Sequence, residues 1–231
     1  MSDKPIVMSA PMVRALLAGR KSQTRRIVKP QPTQRASQIK PEKWEWYAAR
    51  GRGAFSGVPA SGLTDALSKC GGLPYAPGDR LWVREAFRFD RGRDAQSPAS
   101  VPVDTPIIRE ADDWKNPALF PGRLRSPIHM PRALSRLTLT VTSVRIERLN
   151  AISEDDTIAE GASGLHDFDC QWGPEPLPTG VKCRCGDKSY RDTYRRLWDT
   201  LHGPGSWALN PFVCAIGFTV EARNIDAGGS P

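Results

Sequence analysis

The densest group of cationic side chains in the chain lies close to its N-terminus. The segment GRKSQTRRIV predicts a tight turn leading into a strand and contains four cations: Arg20, Lys21, Arg25 and Arg26. Lys21 and Thr24 are three residues apart in this turn, so both side chains can face one cleft. Concentrated positive charge favours anionic ligands, although a basic turn can also be a solvent-exposed turn that binds nothing. The segment is therefore a candidate ligand site.

A second candidate is the carboxylate of Glu160. The sequence SEDDTIAEG predicts a short helix with Ser153 as its N-cap, early acidic residues and Gly161 as its C-terminal cap. Glu160 falls in the last turn, where its charge faces the negative end of the helix dipole. This position is unfavourable unless a cation or a function holds the carboxylate, so we predict a functional role for Glu160.

Missing motifs exclude several other chemistries. The chain contains neither the H-x-E and P-C-x-x-C motifs of zinc deaminases nor a P-loop or G-x-G-x-x-G motif. Its three histidines lie in unrelated contexts, which argues against a His-based triad. A zinc site would need loop cysteines, but C-x-C lacks the usual two-residue gap. These cysteines are Cys70, Cys170, Cys183 and Cys185. We predict no metal and no cofactor.

Composition limits the class of protein. With 231 residues, of which 39% are hydrophobic, the chain can bury a core, and 21 Pro and 20 Gly predict many loops. The net charge of +8 favours nucleic acids or nucleotides as partners, or serves solubility alone. An apolar run of about 20 residues and a signal-peptide pattern are both missing, so we expect a cytoplasmic protein that does not bind membranes.

The elements that must position these residues are short and unevenly spaced. Helical periodicity predicts helices over 11–17 and 187–202. Strands are predicted within 5–9, 77–87, 106–112, 137–149 and 212–220. The alternation changes phase near Thr142 and Ser143, which predicts a β-bulge. The pattern indicates an α+β protein in which a small β-barrel carries short helices.

Three segments in order resemble the ASCH domain family. They are GRKSQTRR (19–26), PGDRLWVRE (77–85) and LNAISEDDTIAEG (149–161). The closing segment WDTLHGPGSWALNPFVCAIGF (198–218) resembles the C-terminal end of phage and prophage members of that family. Since the family is similar to the PUA RNA-binding fold, the resemblance implies a PUA-like β-barrel with a cleft beside its first helix.

The resemblance also implies a domain organisation. We expect one ASCH-like domain over residues 1–226, followed by a disordered tail over 227–231. Compared with small hydrolytic members, the chain has long inserted loops, at about 29–76, 88–126 and 162–186. These insertions are expected to border the cleft, so they bear on which substrate it accepts.

Some ASCH proteins that this chain resembles are amidohydrolases that act on N4-acetylcytidine with a Lys, a Thr and a Glu. Those positions match Lys21, Thr24 and Glu160. The implied mechanism has Lys21, its pKa lowered by burial and nearby arginines, activate Thr24 or a water to attack the acyl carbonyl. Glu160 gives a proton to the departing cytosine amine, and Arg26 stabilises the oxyanion. The predicted substrate-binding residues are Arg25, Arg26 and Glu85.

Two other functions and one structural alternative stay open. An RNA-binding module would hold phosphates on the basic turn and stack bases on Trp44, Trp46 or Trp172. A ribonuclease acting on single-stranded RNA would use Lys21 and Arg26 to stabilise a phosphorane. Alternatively, a Lys and Glu pair could be only a structural ion pair. The expected partner is therefore a modified cytidine nucleoside or RNA, and the question of protein partners stays open.

Overall fold

The computed structural model describes residues 2–34, 44–47, 54–58, 60–69, 72–102, 104–112, 120–161 and 189–227, and between 33 and 60 it describes the backbone alone. The strands are β1 (Asp3–Val7), β2 (Gln23–Ile27), β3 (Thr33–Gln34), β4 (Trp44–Tyr47), β5 (Ala54–Val58), β6 (Arg80–Arg84), β7 (Phe87–Phe89), β8 (Ile107–Arg109), β9 (Thr138–Arg148) and β10 (Phe212–Glu221). The α-helices are α1 (Ala10–Leu17), α2 (Leu63–Lys69), α3 (Glu154–Ala159) and α4 (Tyr190–His202).

These strands form a five-stranded sheet of order β1-β6-β9-β10-β2 and two smaller sheets, β3-β4-β5 and β7-β8. The predicted α+β class is confirmed. The strand order of the larger sheet begins with β1 and ends with β2, and its closure into a PUA-like barrel stays a prediction. No helix in the described part of the chain combines the length and apolar character needed to cross a membrane.

Internal contacts divide the chain into two compact units. Unit 1 contains described residues from 1–22, 78–141 and 218–231, and unit 2 contains those from 23–77 and 142–217. The chain passes from one unit to the other within β9 and again within β10. The single domain predicted from the sequence stays a prediction, and most of the predicted site residues fall in unit 2.

In unit 1 the central strand is β6. It lies parallel to β1, with Val83 opposite Ile6, and antiparallel to β9, with Leu81 opposite Leu139. All four of these side chains are buried. A separate core cluster forms beside the β7-β8 pair from Phe87, Phe89, Met130 and Leu134. The contacts of β6 with β1 and β9 follow from apolar residues at alternate positions of these strands, as the sequence predicted.

Helix α1 carries the chain into the basic turn. It starts with Pro11 in its first turn and buries four side chains, Met12, Val13, Ala15 and Leu16. The helix stops before Gly19, whose φ of 69° lies in the left-handed region that favours glycine. After this stop the backbone N–H groups of Arg20 and Lys21 both donate to the carbonyl of Ala15, at 2.9 and 3.2 Å. The predicted helix and its end are confirmed.

Unit 2 contains the ladder that bears most of the predicted site. Strands β2 and β10 pair antiparallel through five consecutive residue pairs, from Gln23 opposite Gly217 to Ile27 opposite Val213. Helix α3 packs against both β2 and α4. A core cluster joins these elements and consists of Leu149, Ile152, Tyr194, Trp198 and Val213. Helical spacing in the sequence predicts a stripe of largely aromatic core residues on α4: Tyr190, Tyr194, Leu197, Trp198 and Leu201. Tyr194 and Trp198 are core residues, whereas Leu201 is 59% exposed.

Both helices of this cluster begin at a serine cap. The Ser153 hydroxyl accepts a hydrogen bond from the Asp156 N–H at 3.0 Å, and the Ser189 hydroxyl accepts one from the Asp192 N–H at 3.1 Å. The predicted cap of α3 is confirmed. Glu160 is the C-cap residue of α3, one position beyond its last helical residue, and Gly161 follows with a φ of 105°.

The segment 29–76 has more regular structure than its sequence predicted. It contains the β3-β4-β5 sheet and α2. Strands of two, four and five residues are too short for alternation to be read reliably, because pairing between them rather than local pattern holds them. The bulge predicted near Thr142 and Ser143 stays a prediction.

Candidate functional site

Strand β2 places the predicted site residues on two faces. In a strand, successive side chains point to opposite sides, so Gln23 and Arg25 share one face while Thr24 and Arg26 share the other. The pairing with β10 is regular across all of these positions. Gln23, Thr24 and Arg25 are buried, and Arg26 is half-buried. The basic segment is therefore an ordered strand with a cation on each face.

Arg25 is surrounded by three carboxylates. Its guanidinium donates to Glu160 Oε1 at 3.1 Å, to Asp156 Oδ2 at 2.9 Å and to Glu147 Oε1 at 2.6 Å. The Arg25 side chain is fully buried, and that of Glu160 is 4% exposed. The cation that the dipole argument required beside Glu160 is thus Arg25.

A second arginine extends this ion-pair network. Arg145 donates to Glu147 Oε2 at 2.9 Å, to Asp156 Oδ2 at 2.6 Å and to Gln23 Oε1 at 2.9 Å. Gln23 in turn donates to Asp156 Oδ1 at 3.0 Å. Two cations and three carboxylates leave the network with one excess negative charge when all are ionised. We call this group of six residues the Arg25 network.

Burial and charge act in opposite directions on the groups around Arg25. Burial by itself lowers the pKa of Arg25, but the negative charges of Glu160 and Glu147 outweigh it and raise the pKa above its ordinary value. Burial, reinforced by Glu160, raises the pKa of Tyr194 well above its ordinary value. Tyr194 therefore stays a neutral phenol at physiological pH, beside a permanently charged Arg25.

The network should make stability depend on pH through Asp156. Burial alone would raise the pKa of Asp156, but hydrogen bonds from Arg145 and Gln23 and the charge of Arg25 outweigh it and lower the pKa from 3.8 to about 2. A carboxyl group with a depressed folded-state pKa contributes stability above its unfolded pKa, and this contribution is lost as pH falls through the folded pKa. We expect the difference in unfolding free energy between wild type and Asp156→Asn, measured in urea, to shrink between about pH 4 and about pH 2.

Asp155→Asn is the matched control for this measurement. Asp155 lies in the same helical turn, so its replacement has the same effect on the helix dipole, but its side chain is exposed. Its free-energy difference from wild type should be small and nearly flat over the same pH range. Equal pH dependence for the two variants would show that the dipole, not the arginines, lowers the pKa of Asp156.

The opposite face of β2 has a different character. Thr24 lies opposite Ile216, and Arg26 lies opposite Cys214. Burial raises the pKa of Cys214 to about 12, so this thiol stays protonated and is a poor nucleophile. On this face the Thr24 hydroxyl is therefore a better candidate nucleophile than the neighbouring thiol.

Lys21 belongs to unit 1 and precedes Ser22, the last residue before unit 2. Only 1% of Lys21 is exposed, which makes it one of the most deeply buried large side chains in the described part of the chain. Lysine is seldom buried to this extent without a partner or a function. Burial thus singles out the same residue that the resemblance does.

Glu85 also belongs to unit 1, where it is held by two arginines. Its two carboxylate oxygens accept hydrogen bonds from Arg136 at 2.9 and 3.0 Å, and Arg109 lies 3.3 Å from Oε1. The Glu85 side chain is 2% exposed. A carboxylate with both oxygens engaged is well suited to stabilise the fold, while its predicted substrate contact stays a prediction.

Sequence reasoning missed the other members of the Arg25 network. Glu147 and Arg145 lie two residues apart on β9, so they share one face of the strand, and this spacing is the signal that could have identified them. Asp156 was interpreted only as an acidic residue of the first helical turn. Tyr194 was correctly assigned to the core, but its position beside the charged network was not predicted.

Several predicted ligands lie outside the described residues. These are Cys70, Cys170, Cys183, Cys185 and Trp172, while for Trp44 and Trp46 only the backbone is described. Within the described ranges, no three His, Cys, Asp or Glu side chains are arranged to hold a metal ion. The zinc alternative therefore stays untested.

Unit 2 also contains an open groove of about 510 Å³ along the C-terminal half of α4. Its lining includes Arg195, Arg196 and Trp207. Asp199 also lines the groove, and its Oδ1 accepts from the Ser206 hydroxyl and the Trp207 N–H at 3.0 and 2.8 Å. The groove thus combines cations with an aromatic ring.

Comparisons of the chain with protein-family models, with curated proteins and with solved structures found no match.

Proposed function

We propose that the protein is a hydrolase that removes acyl groups from the N4 amine of cytidine-type nucleosides, such as N4-acetylcytidine, without a metal ion. The observation that carries this proposal is the buried contact between Arg25 and Glu160, which are 135 residues apart in the chain. It joins the basic segment and the helix end that the resemblance assigns to one site. Both elements are buried, as a site that excludes water requires.

The proposed reaction breaks the amide bond between the acyl carbon and N4. Lys21 takes the proton of the Thr24 hydroxyl, or of a water bound to it, and the oxygen attacks the acyl carbon. Arg26, which shares the Thr24 face of β2, stabilises the resulting oxyanion. The C–N bond then breaks and N4 receives a proton. If Thr24 attacked, a water then hydrolyses the acyl ester on Thr24, and if water attacked, the carboxylic acid is released directly.

Because of the position of β2 in its sheet, one substrate can contact side chains on both faces of this strand. Thr24 and Arg26 lie on one face, whereas Glu160 contacts Arg25 on the other. Because β2 is the last strand in the order of its sheet, a nucleoside bound at its edge can contact groups from both faces. The proposal therefore places the cytosine amine at the edge of β2.

Glu160 has a more specific role in this proposal than the sequence suggested. A carboxylate paired with a guanidinium accepts hydrogen bonds, and in the resting enzyme Glu160 accepts one from Arg25. We therefore assign Glu160 to accept a hydrogen bond from the substrate N4–H and to carry the proton to N4 as the C–N bond breaks. Lys21, once protonated by Thr24, is the source of that proton.

The experiment that tests the proposal is release of cytidine from N4-acetylcytidine by the purified protein. We expect release that is unchanged by a chelator and changes little up to about 0.5 M salt, because the substrate is uncharged. Cytidine is quantified by chromatography, with heat-denatured protein as the control. No release above that control would contradict the proposal.

An RNA-binding module is the second candidate function, and the groove along α4 favours it. Guanidinium groups that bind phosphates and an aromatic ring that stacks on bases are the features of sequence-tolerant single-strand binding. Such binding weakens steeply as salt rises. Salt-sensitive RNA binding without hydrolysis would therefore favour this candidate, and ribonuclease activity would appear as cleavage of the same RNA.

A further inference from the structure

Unit 1 contains a second groove, of about 530 Å³, far along the chain from the basic turn. Two segments form it, 95–98 and 123–129, and the predicted insertion at about 88–126 contains the first and residues 123–126 of the second. Its polar lining consists of Gln96, Ser97, Arg123, Arg125, Ser126 and His129. Among the described residues, two arginines line the groove and no carboxylate does.

The guanidinium of Arg125 is buried with little compensation of its charge. Its side chain is 6% exposed, and the closest carboxylate oxygen, Asp94 Oδ1, is 3.7 Å away. Arg125 donates to the backbone carbonyl of Asp94 at 2.8 Å, while its Nε has no hydrogen-bond partner among the described residues. Phe89 covers the guanidinium from 4.7 Å. A buried cation with so few partners favours an anion nearby.

The carboxylate of Asp94 is engaged elsewhere. Both of its oxygens accept from the Arg123 N–H, at 3.1 and 2.9 Å. A Cβ at position 122 would approach Asp94 Oδ1 to 2.3 Å, so Gly122 allows this close packing. Asp94 therefore fixes the turn that carries Arg123, and its ion pair with Arg125 is the longer contact, at 3.7 Å.

The rim of the groove is both cationic and apolar. Arg123 and His129 are exposed, and the Arg123 side chain makes no ion pair with any described residue. Leu124, which is 49% exposed, lines the groove itself, and Phe120 (69%) and Ile128 (59%) lie close to it in the sequence. Exposed apolar residues beside cations are typical of a binding surface.

We propose that this groove binds the phosphate of a nucleotide, either free or within a single-stranded RNA. Arg125 and Arg123 hold the phosphate, with the serine hydroxyls as additional donors, and the apolar rim contacts the sugar and base. The site is separate from the residues assigned to hydrolysis. It therefore gives the protein a phosphate-binding function that does not depend on the proposed acyl cytidine chemistry.

The test is binding of three probes: inorganic phosphate, cytidine 5′-monophosphate and a single-stranded RNA oligonucleotide. Titration calorimetry suits the small probes, and fluorescence anisotropy suits labelled RNA. We expect Arg123→Gln to weaken nucleotide or RNA binding about tenfold, the effect of losing one charged hydrogen bond. For RNA, the slope of log affinity against log salt should also fall by about one.

Arg91→Gln is the matched control, because Arg91 is an equally exposed arginine of unit 1 that does not line the groove. It removes the same charge and should leave binding unchanged. Equal weakening by both variants, or no binding of any probe by wild type, would overturn the proposal. If RNA binds more tightly than the mononucleotide, the ligand of the groove is single-stranded RNA. If the two bind equally, the ligand is the free nucleotide.

Hydrolysis of N4-acetylcytidine is measured on the same variants. Arg123→Gln should leave it unchanged, since the substrate carries no phosphate. Wild type that does not hydrolyse N4-acetylcytidine, but binds nucleotide or RNA in a way that depends on Arg123, would contradict the proposed enzyme activity. The same result would support the proposed phosphate site in the groove.

Discussion

Replacing Glu160 by Gln is expected to lower kcat for N4-acetylcytidine by about 100- to 10,000-fold, the usual contribution of a general acid or base. Gln keeps the size of the side chain and an oxygen that can accept from Arg25, but it cannot carry a proton to N4. Lys21→Met should lower kcat by a similar factor, because Met fills the buried space without a basic nitrogen. Both are measured by the release of cytidine at saturating substrate.

Asp156→Asn is the control for the Glu160 variant. Asp156 also accepts a hydrogen bond from Arg25, at 2.9 Å, but it has no part in the proposed reaction. We expect this variant to keep kcat within about threefold, consistent with a role in stability alone. If Asp156→Asn lowered kcat as much as Glu160→Gln, the loss would reflect disturbance of the Arg25 network, and Glu160 would not be a catalytic residue.

Arg25→Met is expected to have the largest effect on stability, a loss of about 3–5 kcal/mol in the free energy of unfolding. The Arg25 side chain is fully buried, and its removal leaves three carboxylates without their shared cation. Glu160 suffers most, because it is almost completely buried and cannot recover the lost interaction from water. Urea unfolding at pH 7 measures the change.

A double variant separates the charge of Glu160 from the loss of packing. Arg25→Met combined with Glu160→Gln removes a cation and an anion together, so it should cost less than the sum of the two single changes. The coupling between the two sites should then exceed about 1 kcal/mol. Strict additivity, or a loss below about 1 kcal/mol for Arg25→Met alone, would show that the network contributes little to folding.

Local signals in the sequence predicted the elements that position the site. Helix α1 follows from its apolar spacing and the stop at Gly19, and α4 follows from its aromatic stripe. Strands β9 and β10 follow from alternating apolar residues in long runs. The strands within 29–76 were not predicted, because such short segments are held by their partners and have no period of their own.

For the candidate site too, the sequence identified some residues but not how they are arranged. Sequence singled out Lys21 and Glu160 from the type and position of each residue, and the structure buries both. It could not decide which face of β2 carries Thr24 and which carries Arg25, since that follows from how the strand pairs with β10. A shift of one residue in that register would exchange the two faces.

The sequence by itself determined which local elements form and which residues can carry charge into them, because propensity, capping and periodicity act over a few neighbouring residues. Only the tertiary structure decided that Arg25 meets Glu147, Asp156 and Glu160, which lie 122, 131 and 135 residues further along the chain. Ion pairs over such separations depend on strand register and helix packing, and the burial of Arg25 and Glu160 makes their contact specific. The chemistry available at β2 is therefore a property of the folded chain.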